Sequence, residues 1–169
     1  LSHEPERLFV FRLIEHGRLV DCWVKAPDME FYSVEYEYWR HGRDRVRRSF
    51  NPDFFIRLDI DHYLTRLPAD AVVTGPTRLR ELQNEGIEQL ILIVEIKSDD
   101  DNTDETRAKE AYGKEHFAVL NRRLRDTQEV DVAEPFRDFV RQHYVFNLLR
   151  PRDYPGWFSR LKNGLVAAG

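Results

Sequence analysis

The run Leu90–Lys97, LILIVEIK, limits what this chain can fold into more than any other stretch of it. At the two-residue period of a strand, Ile91, Ile93, Glu95 and Lys97 share one face, and Leu90, Leu92, Val94 and Ile96 share the other. A strand that is apolar on both faces must be covered on both, which puts it at the centre of an α/β sheet. Glu95 and Lys97 then lie ~7 Å apart at its C-terminal end and point the same way. Ligands bind at that end of the strands in open α/β sheets. Taken alone, a Glu-x-Lys tripeptide is more often a surface ion pair at a strand end.

A second carboxylate upstream shifts that balance. In SFNPDFFIRLD, Pro52 has no N–H to give to a ladder and belongs at the first position of a strand or at a bulge. Asp53 is therefore expected at a strand entrance, with Phe54–Leu58 as the pairing segment. The interval from Asp53 to Glu95 is long enough for one strand to return beside another. Two carboxylates and a lysine in one place suit a hard divalent cation and a phosphate.

Pro52-Asp53 followed by Glu95-Ile96-Lys97 resembles the PD-(D/E)xK nuclease signature. The wider pattern resembles the C-terminal endonuclease domain of type III restriction subunits and related helicase-linked proteins. EPERLFVFRL near the start, FYSVEYEYW before the Pro-Asp, and DETRAKEAYGKEHFAVLN after the Glu-x-Lys look like segments of that domain in the same order, so the resemblance spans residues 4–125. The stretch from Asp59 to Glu88 departs from it as an insertion.

The resemblance implies a restriction-endonuclease-like core, a mixed central sheet flanked by helices in αβββαβ order. It implies a Mg²⁺-dependent endonuclease, with Mn²⁺ as a substitute, that hydrolyses DNA to 5′-phosphate and 3′-hydroxyl ends. Asp53, Glu95 and the Ile96 main-chain carbonyl would hold the metal, and Lys97 would orient water and offset charge on the phosphate. Glu6 on the first helix, and Lys109 or Tyr112 on the helix after the Glu-x-Lys strand, are auxiliary candidates. No G-x-x-x-x-G-K-[ST] sequence is present, so an ATP-driven step would need a helicase or translocase domain. A methyltransferase subunit would complete a restriction-modification system. Two rival readings stand beside this one. The first is a nuclease fold that no longer cuts and serves to bind nucleic acid or dock to a helicase. The second is an unrelated α/β scaffold with a coincidental motif.

A chain of 169 residues suits a single domain covering 1–169. No run approaches the ~20 apolar residues of a membrane span, and the expectation is a cytoplasmic protein without a secretory signal. Because the chain starts at Leu1, it is also expected to be part of a longer helicase-nuclease chain. The single cysteine, Cys22, excludes an internal disulfide and is expected to be buried or half-buried. The net charge of −4 argues against a uniformly basic surface, but Arg40, Arg43, Arg45, Arg47 and Arg48 gather just before Pro52, where they could meet DNA phosphates. Asp99, Asp100, Asp101, Asp104 and Glu105 gather after Lys97 as a solvated loop.

Local patterns predict a helix over residues 4–16 with an apolar stripe of Leu8, Phe11, Leu13 and Ile14, then a strand over 20–25 and a turn over 26–29. Alternation predicts a half-buried strand over 31–39, a turn at His41–Asp44, and one long returning strand over 46–58 that carries Asp53. Short helices are expected at 62–66 and 77–84 around an apolar patch at 71–73. After Lys97, Asn102 with Glu105 has capping-box spacing for a helix whose apolar face includes Ala108, Ala111, Ala118 and Leu120. A polar loop at 126–132, a helix over 134–142, a strand over 143–149 and a helix capped by Asp153 close the chain.

Overall fold

In the computed structural model, which describes residues 3–27, 31–74, 76–128 and 133–167, the apolar run becomes strand β5, Gln89–Ile96, buried from Leu90 onward. Ahead of it come helix α1 (Glu4–Glu15), strands β1 (Cys22–Lys25), β2 (Val34–Arg40), β3 (Asp44–Phe50) and β4 (Phe54–Asp59), and helices α2 (Ile60–Arg66), α3 (Ala69–Thr74) and α4 (Thr77–Asn84). After it come α5 (Asp104–Gln128), the single turn α6 (Arg137–Val140), β6 (Gln142–Leu149) and α7 (Tyr154–Lys162). One sheet runs β1-β4-β5-β6, and β2 and β3 form a separate two-stranded ribbon. The β1–β4 and β4–β5 pairs are antiparallel, whereas β5–β6 is parallel and is joined through α5. The protein is therefore mixed α/β, with a mixed sheet flanked by helices.

The two faces of β5 define two cores. Leu90, Leu92, Val94 and Ile96 pack with Phe9 and Leu13 of α1, Tyr63 of α2, Leu79 of α4, and Trp157 and Leu161 of α7. Ile91 and Ile93 pack with Val34, Tyr36 and Phe50 of the ribbon, Phe117 of α5, and Phe146 and Leu148 of β6. At ~1.5–3 kcal/mol per large apolar side chain removed from water, this second cluster is what holds the ribbon and α5 over the sheet. α5 comes close to β6 at Gly113, where an added Cβ would lie 2.6 Å from the Phe146 ring.

The long strand expected over 46–58 is two strands in two sheets. β3 ends with Phe50 buried in the second core, Pro52 can donate nothing to a ladder, and after Asp53 the chain pairs with β5 instead. The ribbon turns at His41 and Gly42, both with left-handed φ (53° and 68°), and Arg43 N–H returns to the Arg40 carbonyl at 3.2 Å. Gly42 suits that turn because it carries no Cβ to clash there.

On α1 the buried stripe is Glu6, Phe9, Val10 and Leu13, while Leu8, Phe11 and Ile14 are exposed. The described residues between 60 and 84 lie mostly in α2, α3 and α4, and Asp59 caps α2 by accepting the His62 N–H at 3.0 Å. α5 starts from Thr103, whose hydroxyl accepts the Thr106 N–H at 3.1 Å, so Asn102 and Glu105 form no capping box. It continues through Gln128 into the segment expected to be loop, and buries Thr106, Phe117 and Asn121, with Ala111 and Ala118 exposed. The expected helix over 134–142 is a 3₁₀ turn at Glu134–Phe136 followed by α6. Asp153 does not cap α7, because its carboxylate accepts the Arg150 N–H at 2.9 Å. Cys22 is exposed on the edge strand β1. Residues 28–30 of the expected turn and 129–132 of the expected loop lie outside the described residues. No helix among the described residues is long and apolar enough to cross a membrane.

Candidate active site

Asp53 is fastened to the ends of two other strands. Its carbonyl accepts the Ala26 N–H at 2.8 Å just past β1, and its Oδ2 accepts the Ile96 N–H at 2.6 Å at the end of β5. Glu95, one residue earlier on β5, faces the α5 side of the sheet with its side chain almost fully buried. Asp53 and Glu95 line the same cavity of about 400 Å³, together with Ser49, Asn51, Pro52 and Lys109. The antiparallel β4–β5 pairing brings them there from positions far apart in sequence.

The charges in this cavity are unevenly answered. Glu95 Oε1 lies 2.8 Å from Lys97 Nζ and 3.5 Å from Lys109 Nζ. Glu95 Oε2 is buried and accepts no hydrogen bond. Burial, and then the charge of Glu95, push Asp53 up to about 7, with Glu6 adding to the rise and the Ile96 N–H and Lys97 opposing it. Burial pulls the Lys97 pKa down, but Glu95 and Asp53 more than offset this and leave it raised. Lys109 is shifted the other way, chiefly by burial, with Lys97 adding to the fall. The Lys109 ammonium stands 5.4 Å from the Phe50 ring centre and 5.7 Å from that of Tyr36.

Glu6 is brought to the same end of the sheet. It is buried, lies 3.3 Å from Lys25, and is near enough to Asp53 for its charge to raise that pKa. Tyr112 is exposed on α5 and does not line the cavity. The Ile96 main chain meets Asp53, its N–H donating to Oδ2 at 2.6 Å. Among the described residues, no group of three or more His, Cys, Asp or Glu side chains is arranged to hold a metal ion.

The arginines divide into two sets. On the ribbon's outer face Arg45 pairs with Glu37, and Arg47 with Glu35. Arg48, on the inner face, lies 3.4 Å from Glu105 of α5. Arg40 and Arg43 are exposed, and among the described residues neither makes an ion pair. Three of the five cations thus already face carboxylates, and β3 leads through Ser49 and Phe50 directly into the cavity wall.

Glu105, expected in a solvated loop, instead accepts the Tyr36 hydroxyl at 2.5 Å and the Tyr38 hydroxyl at 3.2 Å. These bonds, with the Arg48 charge, hold its carboxyl below the usual range despite partial burial. They also clamp the ribbon onto α5 beside Lys109. Tyr36 and Phe50 are the site-shaping residues that sequence reasoning missed. Their only signal was membership of alternating strands.

No family model, curated protein or solved structure matches the chain.

Proposed function

We propose that this protein is a metal-dependent endonuclease that hydrolyses DNA phosphodiester bonds. The observation that carries this reading is the shared cavity of Asp53 and Glu95, in which one buried carboxylate oxygen has no hydrogen-bond partner while the neighbouring carboxyl resists ionisation. The two-carboxylate donor set fits Mg²⁺, which keeps several waters and is completed by substrate phosphate. When bound, the ion would supply Lewis-acid polarisation of the phosphate and lower the pKa of water. Asp53 and Glu95 would hold it, with Mn²⁺ able to replace Mg²⁺.

Lys97 remains an ammonium at neutral pH and has three N–H donors and no lone pair. Its role is to donate to the attacking water or to a phosphate oxygen as negative charge develops. Lys109, whose ammonium stands over the Tyr36 and Phe50 rings, offers a second cation at the same Glu95 oxygen. Glu6 adds negative charge behind Asp53. The order α1-β1-β4-β5-α5-β6, with the ribbon and α2–α4 as insertions, supports a restriction-endonuclease-like core. A type III-like restriction role, a helicase or translocase partner and a methyltransferase subunit extend this proposal on the sequence resemblance alone, and a cytoplasmic setting extends it on composition.

A second reading, a nuclease fold that binds without cutting, is favoured by one observation: both lysines already face Glu95 Oε1 and partly neutralise the site without metal. Incubation with supercoiled and linear DNA in Mg²⁺, Mn²⁺ or chelator separates the two. Cleavage that needs metal and is lost in Asp53→Ala and Glu95→Ala supports the nuclease. DNA binding without cleavage in either metal assigns the silent module.

A further inference from the structure

We propose that the cleft along the free edge of β6 is a phosphodiester-backbone subsite, along which a nucleic-acid strand runs beside the carboxylate cavity. The choice of polymer rests on the nuclease reading above. β6 ends the four-stranded sheet, and a cleft of about 580 Å³ opens over its C-terminal half between α5 and α7. Four cations line it, Lys114, Arg150, Arg152 and Arg160, against two carboxylates, Glu110 and Asp153. A local excess of positive charge in a chain of net charge −4 marks this surface for a polyanion.

The cations differ in how far they are already engaged. Lys114 pairs with Glu110 at 2.8 Å, and the Arg150 guanidinium donates to the Asp101 carbonyl at 2.9 and 3.2 Å. Arg152 and Arg160 are exposed, and among the described residues neither makes an ion pair. They are the groups available to phosphate.

The strand that lines the cleft, β6, pairs in parallel with β5, which carries Glu95 into the carboxylate cavity. Lys97 N–H donates to the Leu149 carbonyl at 2.9 Å, and Arg152 N–H to Asp99 Oδ1 at 3.1 Å, so the turn carrying Arg150 and Arg152 is fastened to the loop that leaves Lys97. The cleft therefore lies along the strand next to the one that carries Glu95, their backbones ~5 Å apart. The segment Phe146–Leu149 runs for roughly 10 Å, enough for about three nucleotides at ~3.4 Å each.

The competing occupant, an extended peptide adding a strand to β6, is disfavoured by the state of the edge. Arg141 and Leu149 turn their carbonyls to β5, so Tyr144, Phe146 and Leu148 turn outward. Asn121 occupies both backbone groups of Tyr144 at 2.8 Å, and Asp153 takes the Arg150 N–H. Among the described residues between Tyr144 and Arg150, that leaves Phe146 and Leu148 open, too short a run for strand addition.

The test is fluorescence anisotropy of labelled duplex DNA in chelator, where nothing is cut, between 50 and 200 mM salt. Arg152→Ala/Arg160→Ala should weaken binding about tenfold on every sequence and flatten the plot of log affinity against log salt by about two, one for each phosphate that no longer meets a cation. Arg152→Lys/Arg160→Lys should keep the wild-type slope. Arg12→Ala/Arg18→Ala, which removes the same charge near the C-terminal end of α1, should keep it too. An unchanged slope in the alanine pair overturns the subsite, as does an equal loss in the α1 control. An acidic peptide that binds wild type and not the alanine pair, with DNA affinity intact in both, reassigns the cleft to peptide and also overturns it. A wild-type protein that binds DNA but does not cut it in Mg²⁺ or Mn²⁺ sinks the nuclease alone, because the subsite is still read by binding. One that binds no DNA sinks both.

Discussion

Replacing Asp53 by Asn should stabilise the metal-free protein while abolishing its proposed activity. In the folded chain the Asp53 carboxyl is raised from 3.8 to about 7, first by burial and then by Glu95. The folded state therefore holds this proton across a range in which the unfolded state has lost it. Its contribution to stability is fully present below pH ~4 and disappears as pH rises through ~7. At about 1.4 kcal/mol per pKa unit, the penalty at pH 8 approaches ~4 kcal/mol, and solvent in an open cavity reduces it toward ~2 kcal/mol. Asparagine is neutral at every pH. Its Oδ1 can still accept the Ile96 N–H that Asp53 accepts at 2.6 Å. Asp53→Asn should thus match wild type near pH 4 and exceed it by ~2–4 kcal/mol at pH 8, roughly 4–16 °C in Tm for a chain of this size. Thermal and urea unfolding in chelator across pH 4–8 measure this directly. Adding Mg²⁺ should raise the wild-type Tm and leave Asp53→Asn unchanged. A difference between the two proteins that does not vary with pH would refute the shared field of Asp53 and Glu95, and with it the reason for expecting a cation there.

Lys97→Ala should keep Mg²⁺ affinity within a few-fold while single-turnover cleavage falls by ~10²-fold, because a protonated lysine is no ligand but does stabilise developing charge; calorimetry beside cleavage kinetics checks it. Gly113→Ala should lose ~1–3 kcal/mol by driving a methyl into the Phe146 ring, where a Cβ would sit 2.6 Å away, and Phe146→Leu in the same chain should recover part of that loss in urea unfolding. Tyr36→Phe removes the hydroxyl that Glu105 accepts at 2.5 Å and should lower stability by ~1.5–3 kcal/mol, as for a hydrogen bond to a charged group, again read by urea unfolding. Replacing Arg45, Arg47 and Arg48 together by Ala should flatten the salt dependence of DNA binding by less than three full charges would, since each already faces Glu37, Glu35 or Glu105.

The parts of this fold that sequence reveals are those set by a strong local pattern. β5 was legible because seven consecutive buried positions leave no alternative to a strand covered on both sides. α4 was legible to the residue, Thr77–Asn84, because Gly75-Pro76 precedes it and Gly86 follows. The stripe on α1 was readable but misread: Glu6, Phe9, Val10 and Leu13 have the i, i+3, i+4, i+7 spacing of a buried face. Large apolar side chains at Leu8, Phe11 and Ile14 drew attention to the opposite face. Read correctly, that spacing would have placed an acid on the core side of a helix, itself a sign of a site.

What sequence could not supply was which partner each polar residue would choose. Residues 46–58 alternate as one strand would; Pro52 marks where that strand can break, but that its two halves join different sheets follows from the competition between those sheets for the same chain. Phe50 is drawn into the ribbon's core with Tyr36, while Phe54 is drawn beneath β5 with Phe9. That competition puts Pro52 and Asp53 in the gap between the two sheets, where proline's missing N–H costs no ladder bond. The same crossing carries Phe50 and Tyr36 to Lys109, and so determines that a lysine on α5 faces Glu95 and not solvent. Asp53 and Glu95 could be named from a motif. Their electrostatic setting arises from the ribbon's long-range packing, for which the chain carries no local signal.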